Sequence, residues 1–298
     1  MCGIVAYFGP AQAKDILLAG LMRLEYRGYD SAGLAVMQET GGGAAAAAAA
    51  AVASPSAADS SAAPPKRRRT NAAAGHRISV VKSAGKVSNL SLACNSDASA
   101  GTMGIAHTRW ATHGPPNDIN AHPHVSMDGT LAVVHNGIVE NFAALKSELL
   151  RKGYVIKSDT DTELIAHLIA DVRKQKWMPL DEAVRQAMTQ VHGAYGIAVI
   201  SSDEPGMLIG ARKGSPLILG VGSDEYILAS DAAAVIERTK QVCNAPTSQS
   251  PHRTARRRCL FRASDLLAGQ PASRPGPAGP HRALKRPPFP ARLSCVCR

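Results

Sequence analysis

Apolar residues recur along this 298-residue chain with two periods, and these divide it into candidate strands and helices. Residues 2–8 alternate apolar and small groups as a buried strand does. Within Ala11–Glu25, Ile16, Leu17, Leu21 and Leu24 fall at helical spacing, with Lys14, Asp15, Arg23 and Glu25 between them. Further strands are predicted over Ala32–Met37, Ile78–Ser83, Met103–Thr108, Leu131–His135, Tyr195–Ser201, Met207–Ala211, Leu217–Val221 and Tyr226–Ala229. Helices are predicted over Asn141–Lys152, Thr162–Gln175 and Leu180–Val191. The last two carry apolar stripes of Leu164, Ile165, Leu168, Ile169 and Val172, then Ala183, Val184, Ala187 and Val191. Strands and helices come in groups, not in strict βαβ alternation. This predicts an α+β fold of antiparallel sheets with helices packed on their outer faces.

Two stretches break the pattern. Residues 38–77 contain Gly41-Gly42-Gly43, eight successive alanines at 44–51, a Ser/Ala/Pro run and Lys66-Arg67-Arg68-Arg69. The composition predicts a disordered low-complexity surface insertion, because an all-alanine run offers no amphipathic face to pack. The basic cluster is read as a solvated charge run over the rival reading, a nuclear localisation signal. From about Val242 onward neither period survives, and nine of the chain's 19 prolines lie in 241–298. That segment is expected to be a disordered tail and a non-native extension.

The formal charge of +11 suggests a nucleic-acid binder until it is located. Residues 241–298 hold eleven of the 34 Lys and Arg and one of the 23 acidic residues, so the body is nearly neutral. A basic tail without interleaved aromatics predicts at most polyelectrolyte attraction, with no specific nucleic-acid partner. The six cysteines (Cys2, Cys94, Cys243, Cys259, Cys295, Cys297) form no paired framework, which points to a reducing compartment. No apolar run approaches the ~20 residues of a membrane span, and no signal segment opens the chain. A cytoplasmic protein without membrane contact is the expectation.

Candidate chemistry begins at Cys2. Removal of Met1 would leave a residue carrying both a thiol and a free α-amine, hence a nucleophile and a base together. Four other clusters stand out: Leu24-Glu25-Tyr26-Arg27-Gly28-Tyr29-Asp30-Ser31-Ala32-Gly33, His107-Thr108-Arg109-Trp110-Ala111-Thr112-His113-Gly114, Val134-His135-Asn136-Gly137-Ile138, and Ser158-Asp159-Thr160-Asp161-Thr162-Glu163. Taken alone, Asn136-Gly137 reads more readily as a turn, and Asp161 as a helix N-cap, a role that can coexist with substrate binding. His107, His113, His122, His124 and His135 are the candidate metal ligands. Pro123 stiffens the His122–His124 pair and no carboxylate or thiol partner is suitably spaced, so no metal is expected. The absence of a Walker or Rossmann glycine pattern argues against a nucleotide, and no cofactor is expected.

Together with Cys2-Gly3-Ile4-Val5, these segments closely resemble the glutaminase domain of the glutamine–fructose-6-phosphate aminotransferase (isomerising) family, from Cys2 to about Gln241. The resemblance implies a class II glutamine amidotransferase with the N-terminal nucleophile hydrolase fold, a four-layer α/β/β/α sandwich of antiparallel sheets. It implies that Cys2 attacks the glutamine side-chain amide, with its α-amine as base, and forms a γ-glutamyl thioester that water hydrolyses. Asn136 and Gly137 would donate to the oxyanion, Arg109 would bind the glutamine α-carboxylate and Asp161 its α-ammonium. Trp110, Thr112 and His113 would lie on a loop that closes over the substrate. Arg27 would support the Cys2 neighbourhood, with a purely structural ion pair as the competing role. Within the family, ammonia passes to fructose 6-phosphate on sugar-isomerase domains, giving glucosamine 6-phosphate, and nothing in 242–298 resembles those domains. A truncated monomer limited to glutamine hydrolysis is the resulting expectation. The alternatives are an inactive or basic-tailed binding protein, or the glutaminase half of another class II amidotransferase.

Overall fold

The computed structural model describes residues 2–40, 75–94, 100–111, 114–176, 178–244, 259–263 and 293–296. In chain order its elements are β1 (Gly3–Phe8), α1 (Ala13–Leu24), a 3₁₀ turn (Glu25–Arg27), β2 (Ser31–Thr40), β3 (Gly75–Ala84), α2 (Val87–Ala93), β4 (Met103–Arg109), β5 (His124–Val125) and β6 (Leu131–Gly137). There follow α3 (Phe142–Arg151), α4 (Asp161–Lys176), α5 (Leu180–Gln190), β7 (Tyr195–Ser201), β8 (Leu208–Lys213), β9 (Ile218–Val221) and β10 (Tyr226–Ala229). A second 3₁₀ turn (Ala232–Ala234) precedes β11 (Val242–Asn244), β12 (Cys259–Ala263) and β13 (Leu293–Val296).

The strands form two sheets, one ordered β11-β9-β10-β1-β4-β2-β3 and the other β13-β12-β8-β7-β6-β5, with antiparallel pairing throughout. Alternation along the strands decides which side chains meet. Ile4, Ala6, Ala35, Met37, Met103 and Ile105 of the first sheet face Ala132, Val134, Ala198, Ile200 and Leu208 of the second in one apolar layer. The opposite parity of the first sheet (Val5, Tyr7, Leu34, Val36, Ala106) packs on α1 and α2. The opposite parity of the second (Leu131, Val133, Ile197, Val199, Ile209) packs on α3, α4 and α5. The result is the four-layer α/β/β/α sandwich. Each predicted helical stripe is buried, as shown by Leu164, Ile165, Leu168 and Ile169 on α4 and Ala183, Val184 and Ala187 on α5.

Three differences from the sequence pattern are informative. Helix α2 was not anticipated; it is short and anchors only Val87 and Leu90 under the first sheet, too few positions to show a period. The expected insertion is narrower than 38–77, because β2 and β3 stay paired to their ends, through Gln38↔Arg77, Glu39↔His76 and Thr40↔Gly75. Residues 41–74, with the alanine run and the Lys66–Arg69 cluster, lie outside the described residues. Parts of the expected unstructured tail are strands: Cys243 pairs with Leu219 of β9, and Leu260 with Ala211 of β8. Edge strands present unpaired N–H and C=O groups, which a short run such as Cys-Leu-Phe can satisfy without any long-range periodicity. Among the described residues no helix is long and apolar enough to cross a membrane.

Candidate active site

The inner layer turns from apolar to polar at one end of the sandwich, without any change of register. Along β4 the inward sequence Met103, Ile105 continues to His107 and Arg109; along β6, Ala132, Val134 continues to Asn136; along β1, Ala6, Ile4 leads back to Cys2. Since Ile4 pairs with His107 and Gly3 with Thr108, Cys2 emerges beside the end of β4. The start of α4, with Asp161, closes the same end.

Cys2 is partly exposed, and its sulfur sits between the two backbone groups of Trp110. Trp110 N–H donates to Sγ at 3.2 Å, and the thiol lies 3.6 Å from the Trp110 carbonyl. Burial pushes the thiol pKa up. The Trp110 N–H, the N-terminal charge and the Arg109 guanidinium pull it down, and Asp30 opposes them; burial prevails. A thiol with a raised pKa is protonated at neutral pH, so it needs a base to become a nucleophile. The α-amine of Cys2, once exposed, stands on the same residue.

The Trp110 backbone is held from beneath by the segment after α1. Asp30 N–H donates to the Arg109 carbonyl at 3.0 Å, and the Asp30 carboxylate accepts the Ala111 N–H at 2.8 Å. Gly28 lies flat against this strand end: a Cβ there would come within 2.8–2.9 Å of Arg109 C and O and Trp110 N. Glycine is needed at 28 for that close approach, which explains the Arg-Gly-Tyr-Asp wording of the motif. Asp30 lies at this candidate site, and the sequence motif contains it without assigning it a role. Its signal was only its place in the motif, because its partners are backbone amides 79 to 81 positions away.

Across the layer, the Asn136 side-chain N–H donates to the Cys2 carbonyl at 3.2 Å, while its oxygen lies 3.0 Å from His107 Nε2. Gly137 follows at φ +136°, where a Cβ would meet the Ala194 carbonyl oxygen at 2.1 Å. Gly137 is the last residue of β6, still paired with Tyr195, and its positive φ demands glycine there. Both candidate donors therefore lie on the strand itself and not on a turn. Asp161 is the first residue of α4, and its carboxylate accepts the Val139 N–H at 2.9 Å, which clamps the helix to the segment after Gly137. Glu163 makes the helix-terminal contacts, accepting N–H groups of Lys157 (2.9 Å) and Ser158 (2.6 Å) and the Ser158 hydroxyl (2.6 Å). Burial raises the Glu163 pKa, but His167, Ser158 and the Lys157 N–H outweigh it and hold the group down at about 2. Glu163 thus ties the helix start to residues 157–158, while Asp161 Oδ2 faces the segment after Gly137.

Arg109 is almost fully buried and donates to the carbonyls of Pro115 (3.3 Å) and Gly114 (3.4 Å). Burial lowers its pKa, while Cys2, Asp30, Asp161 and Asp159 raise it. It thus sits among the site carboxylates and also fixes the start of the following loop. That loop is pinned at its far end, where Asn120 Nδ2 donates to Asp159 at 3.3 Å and Asp159 N–H donates to Asn120 Oδ1 at 3.0 Å. Trp110 is 45% exposed, its ring edge-on to Tyr29 at 5.8 Å. Thr112 and His113 lie outside the described residues. Arg27 goes elsewhere than the nucleophile: it pairs with Asp231 and donates to the Ser230 carbonyl. Ser230 Oγ in turn accepts the Ile4 N–H at 2.9 Å. Its contacts brace the first turn of β1, two residues from Cys2.

Behind Asn136 the layer is filled by histidines. The rings of His107 and His122 stack at 4.1 Å, and those of His122 and His124 meet at 5.1 Å. His124 Nε2 bonds to Thr160 Oγ1 at 2.8 Å and His135 Nδ1 to Thr162 Oγ1 at 3.1 Å. Desolvation drives His107 and His124 down to about 3 and His122 well below its ordinary value, so these three rings are neutral. Among the described residues no group of three or more His, Cys, Asp or Glu is arranged to hold a metal ion.

Comparison with known proteins agrees with this geometry. Residues 107–237 match the family described as a glutamine amidotransferase domain. The chain is 45% identical over 246 residues to the glutamine–fructose-6-phosphate aminotransferase (isomerizing) of Chlorobaculum tepidum, covering 81% of this chain and 34% of that protein. The enzymes of the same name from Bacteroides thetaiotaomicron (43% over 242 residues, 81% and 34%) and Pyrococcus horikoshii (42% over 241 residues, 81% and 34%) are similar to the same extent. The chain therefore spans about a third of the length of the relatives it matches. In fold it is similar to the glutamine phosphoribosylpyrophosphate amidotransferase from B. subtilis, with a TM-score of 0.63 and 20% identity, over 89% of this chain and 48% of that one. A second structure, of an allosteric regulatory enzyme of purine biosynthesis, matches with a TM-score of 0.63 at 22% identity, over 89% and 47%. Fold and shared sequence agree: residues 107–237 match a glutamine amidotransferase domain, and over 81% of its length the chain is similar to part of the glutamine–fructose-6-phosphate aminotransferases.

Proposed function

We propose that this chain hydrolyses L-glutamine to L-glutamate and ammonia through a Cys2 thioester. The observation that carries the reading is the convergence of Cys2, Arg109, Asn136, Gly137 and Asp161 from four separate elements on one end of the inner layer. With Met1 removed, the Cys2 α-amine takes the thiol proton and Sγ attacks the side-chain carbonyl carbon of glutamine. The oxyanion so formed is stabilised by an Asn136 side-chain N–H and the Gly137 backbone N–H. Each donor of this kind is worth about 10²–10³ in rate. The C–N bond then breaks, ammonia leaves with the transferred proton, and a γ-glutamyl thioester remains. Water adds to the thioester, the C–S bond breaks, and glutamate departs as the sulfur regains its proton. Arg109 pairs with the α-carboxylate, its planar fork matching two oxygens, and Asp161 takes the α-ammonium. Trp110, Thr112 and His113 cover the bound amino acid, and Arg27 braces β1 behind the nucleophile.

In the aminotransferase family the ammonia is consumed by fructose 6-phosphate, yielding glucosamine 6-phosphate. The acceptor site belongs to sequence beyond the third of the relatives' length that this chain spans. The reading offered for these residues is the glutaminase half-reaction, carried out as a monomer in the cytoplasm without a cofactor. The test is glutamate release by the purified chain, with intact mass confirming Cys2 at the N-terminus and Cys2→Ala as control. Turnover abolished by Cys2→Ala supports the reading. A folded, processed chain that releases no glutamate overturns it.

A further inference from the structure

His107 has no part in the chemistry above, yet its contacts determine what Asn136 can do. The Cys2 carbonyl can only accept, so the Asn136 atom 3.2 Å from it is the amide nitrogen. The Asn136 oxygen then faces His107 Nε2 at 3.0 Å, and because that oxygen also only accepts, Nε2 carries the proton. His107 Nδ1 is buried and meets no hydrogen-bond partner, so a proton there would be an orphaned donor. Both ends of the contact give one answer, the Nε2–H tautomer. The ring is locked in place: His107 is fully buried and His122 stacks on it at 4.1 Å. That stack depends on Gly33, where a Cβ would strike the His122 carbonyl oxygen at 2.2 Å.

We propose that His107 is a positioning residue for glutamine hydrolysis: its neutral Nε2–H holds the Asn136 oxygen, so both N–H donors of that amide face the Cys2 end of the layer. One N–H bonds to the Cys2 carbonyl, and the other is left for the oxyanion. A flipped Asn136 would turn its oxygen toward the developing negative charge. His107 thereby acts across the two sheets, from β4 to β6, and fixes the sign of the dipole that the transition state meets. This inference rests on the glutaminase reading for its kinetic arm and not for its spectroscopic one.

The spectroscopic arm is ¹⁵N imidazole NMR on the wild-type chain. The His107 ring is expected to show the neutral Nε2–H pattern at pH 7, and the Nδ1–H pattern overturns the proposal whether or not the chain turns over. The kinetic arm compares His107→Phe, which keeps the bulk and loses the donor, with His107→Gln, whose amide N–H lies close to the Nε2 position. His107→Phe is expected to lower kcat by about 10- to 100-fold, with KM within about threefold, counted per alkylatable Cys2. His107→Gln is expected to recover most of that loss. The double variant His107→Phe/Asn136→Ala is expected to be no slower than Asn136→Ala alone, because the two side chains act as one unit. Undiminished kcat in the folded His107→Phe protein, equal loss in His107→Gln, or additive losses in the double variant each overturn the positioning role.

Discussion

The two ends of the inner layer are built from the same strands in the same register, and they do opposite work. At one end Met103, Ile105, Ala132 and Val134 interlock as an apolar core; at the other, the next inward positions of the same strands are His107, Arg109 and Asn136. The polar end is no less buried. His107 is fully buried, and His122, His124 and His135 are 3–5% exposed. Buried polar groups cost several kcal/mol unless they are bonded; here burial keeps the charge off His107, His122 and His124, and His107, His124 and His135 each give a ring nitrogen to a neighbour. The lesson is that in this fold the candidate catalytic end is a core end with different side chains. It borrows the rigidity of β1, β4 and β6, so the proposed nucleophile and oxyanion donors are positioned by the ladders that order the hydrophobic layer.

That comparison can be broken from either end, and the largest effect is at the nucleophile. Cys2→Ala is expected to lower glutamate release by at least about 10³-fold while the circular dichroism spectrum and thermal midpoint stay near those of the parent. Loss of the fold in that variant would show the polar end to be structural. One step inward, Asn136→Ala should cost about 10²–10³ in kcat, whereas Ile105→Ala, nearby on the inner face of β4, should cost about 2–5 kcal/mol of stability with kcat per folded molecule nearly unchanged. The comparison would collapse if Ile105→Ala proved as damaging to turnover as Asn136→Ala.

The histidines supply a gentler probe. His107 and His124 are lowered from 6.5 to about 3 by burial, so the unfolded chain binds more protons than the folded one between those values. Stability is therefore fully present above about pH 6.5 and is lost as pH falls toward 3, by up to about 1.4 kcal/mol per pH unit for each ring. Glu163, held at about 2 in the fold, adds loss of the same sign below about pH 4.5. Urea midpoints measured from pH 8 to pH 4 should fall in that direction, and a flat profile would mean the rings are not buried neutral. The smallest effect is far from both ends. Arg185→Ala removes an exposed pair with Glu182 on α5 and should change stability by less than about 0.5 kcal/mol, with turnover unaltered.

Much of this architecture was readable one residue at a time. Period-two and period-3.6 patterns are local consequences of where a strand or helix buries its side chains, so nine strands and four helices were found, with β1, β4, β7, β10, α4 and α5 placed nearly to the residue. Segments too short to show a period escaped: α2, the two-residue β5 and the strands β11, β12 and β13 that pair with exposed edges. The motifs named Cys2, Arg109, Asn136, Gly137 and Asp161 as candidates, and the structure brings these five to one end of the fold. The roles of Asp30, Asn120 and Asp159 were not, since each is defined by a partner 39 or more positions away.

By itself, then, the sequence determined the layers and the positions where glycine is required, and it named Cys2 as the candidate nucleophile, because backbone sterics and side-chain alternation act between near neighbours. Tertiary structure alone decided that Arg27 braces β1 through Asp231 and Ser230, that Asp161 clamps the loop after Gly137, and that His107 faces the Asn136 oxygen. Those contacts join different sheets or distant loops. A hydrogen bond between groups so far apart in the chain depends on the register and separation of whole layers, which no local pattern records.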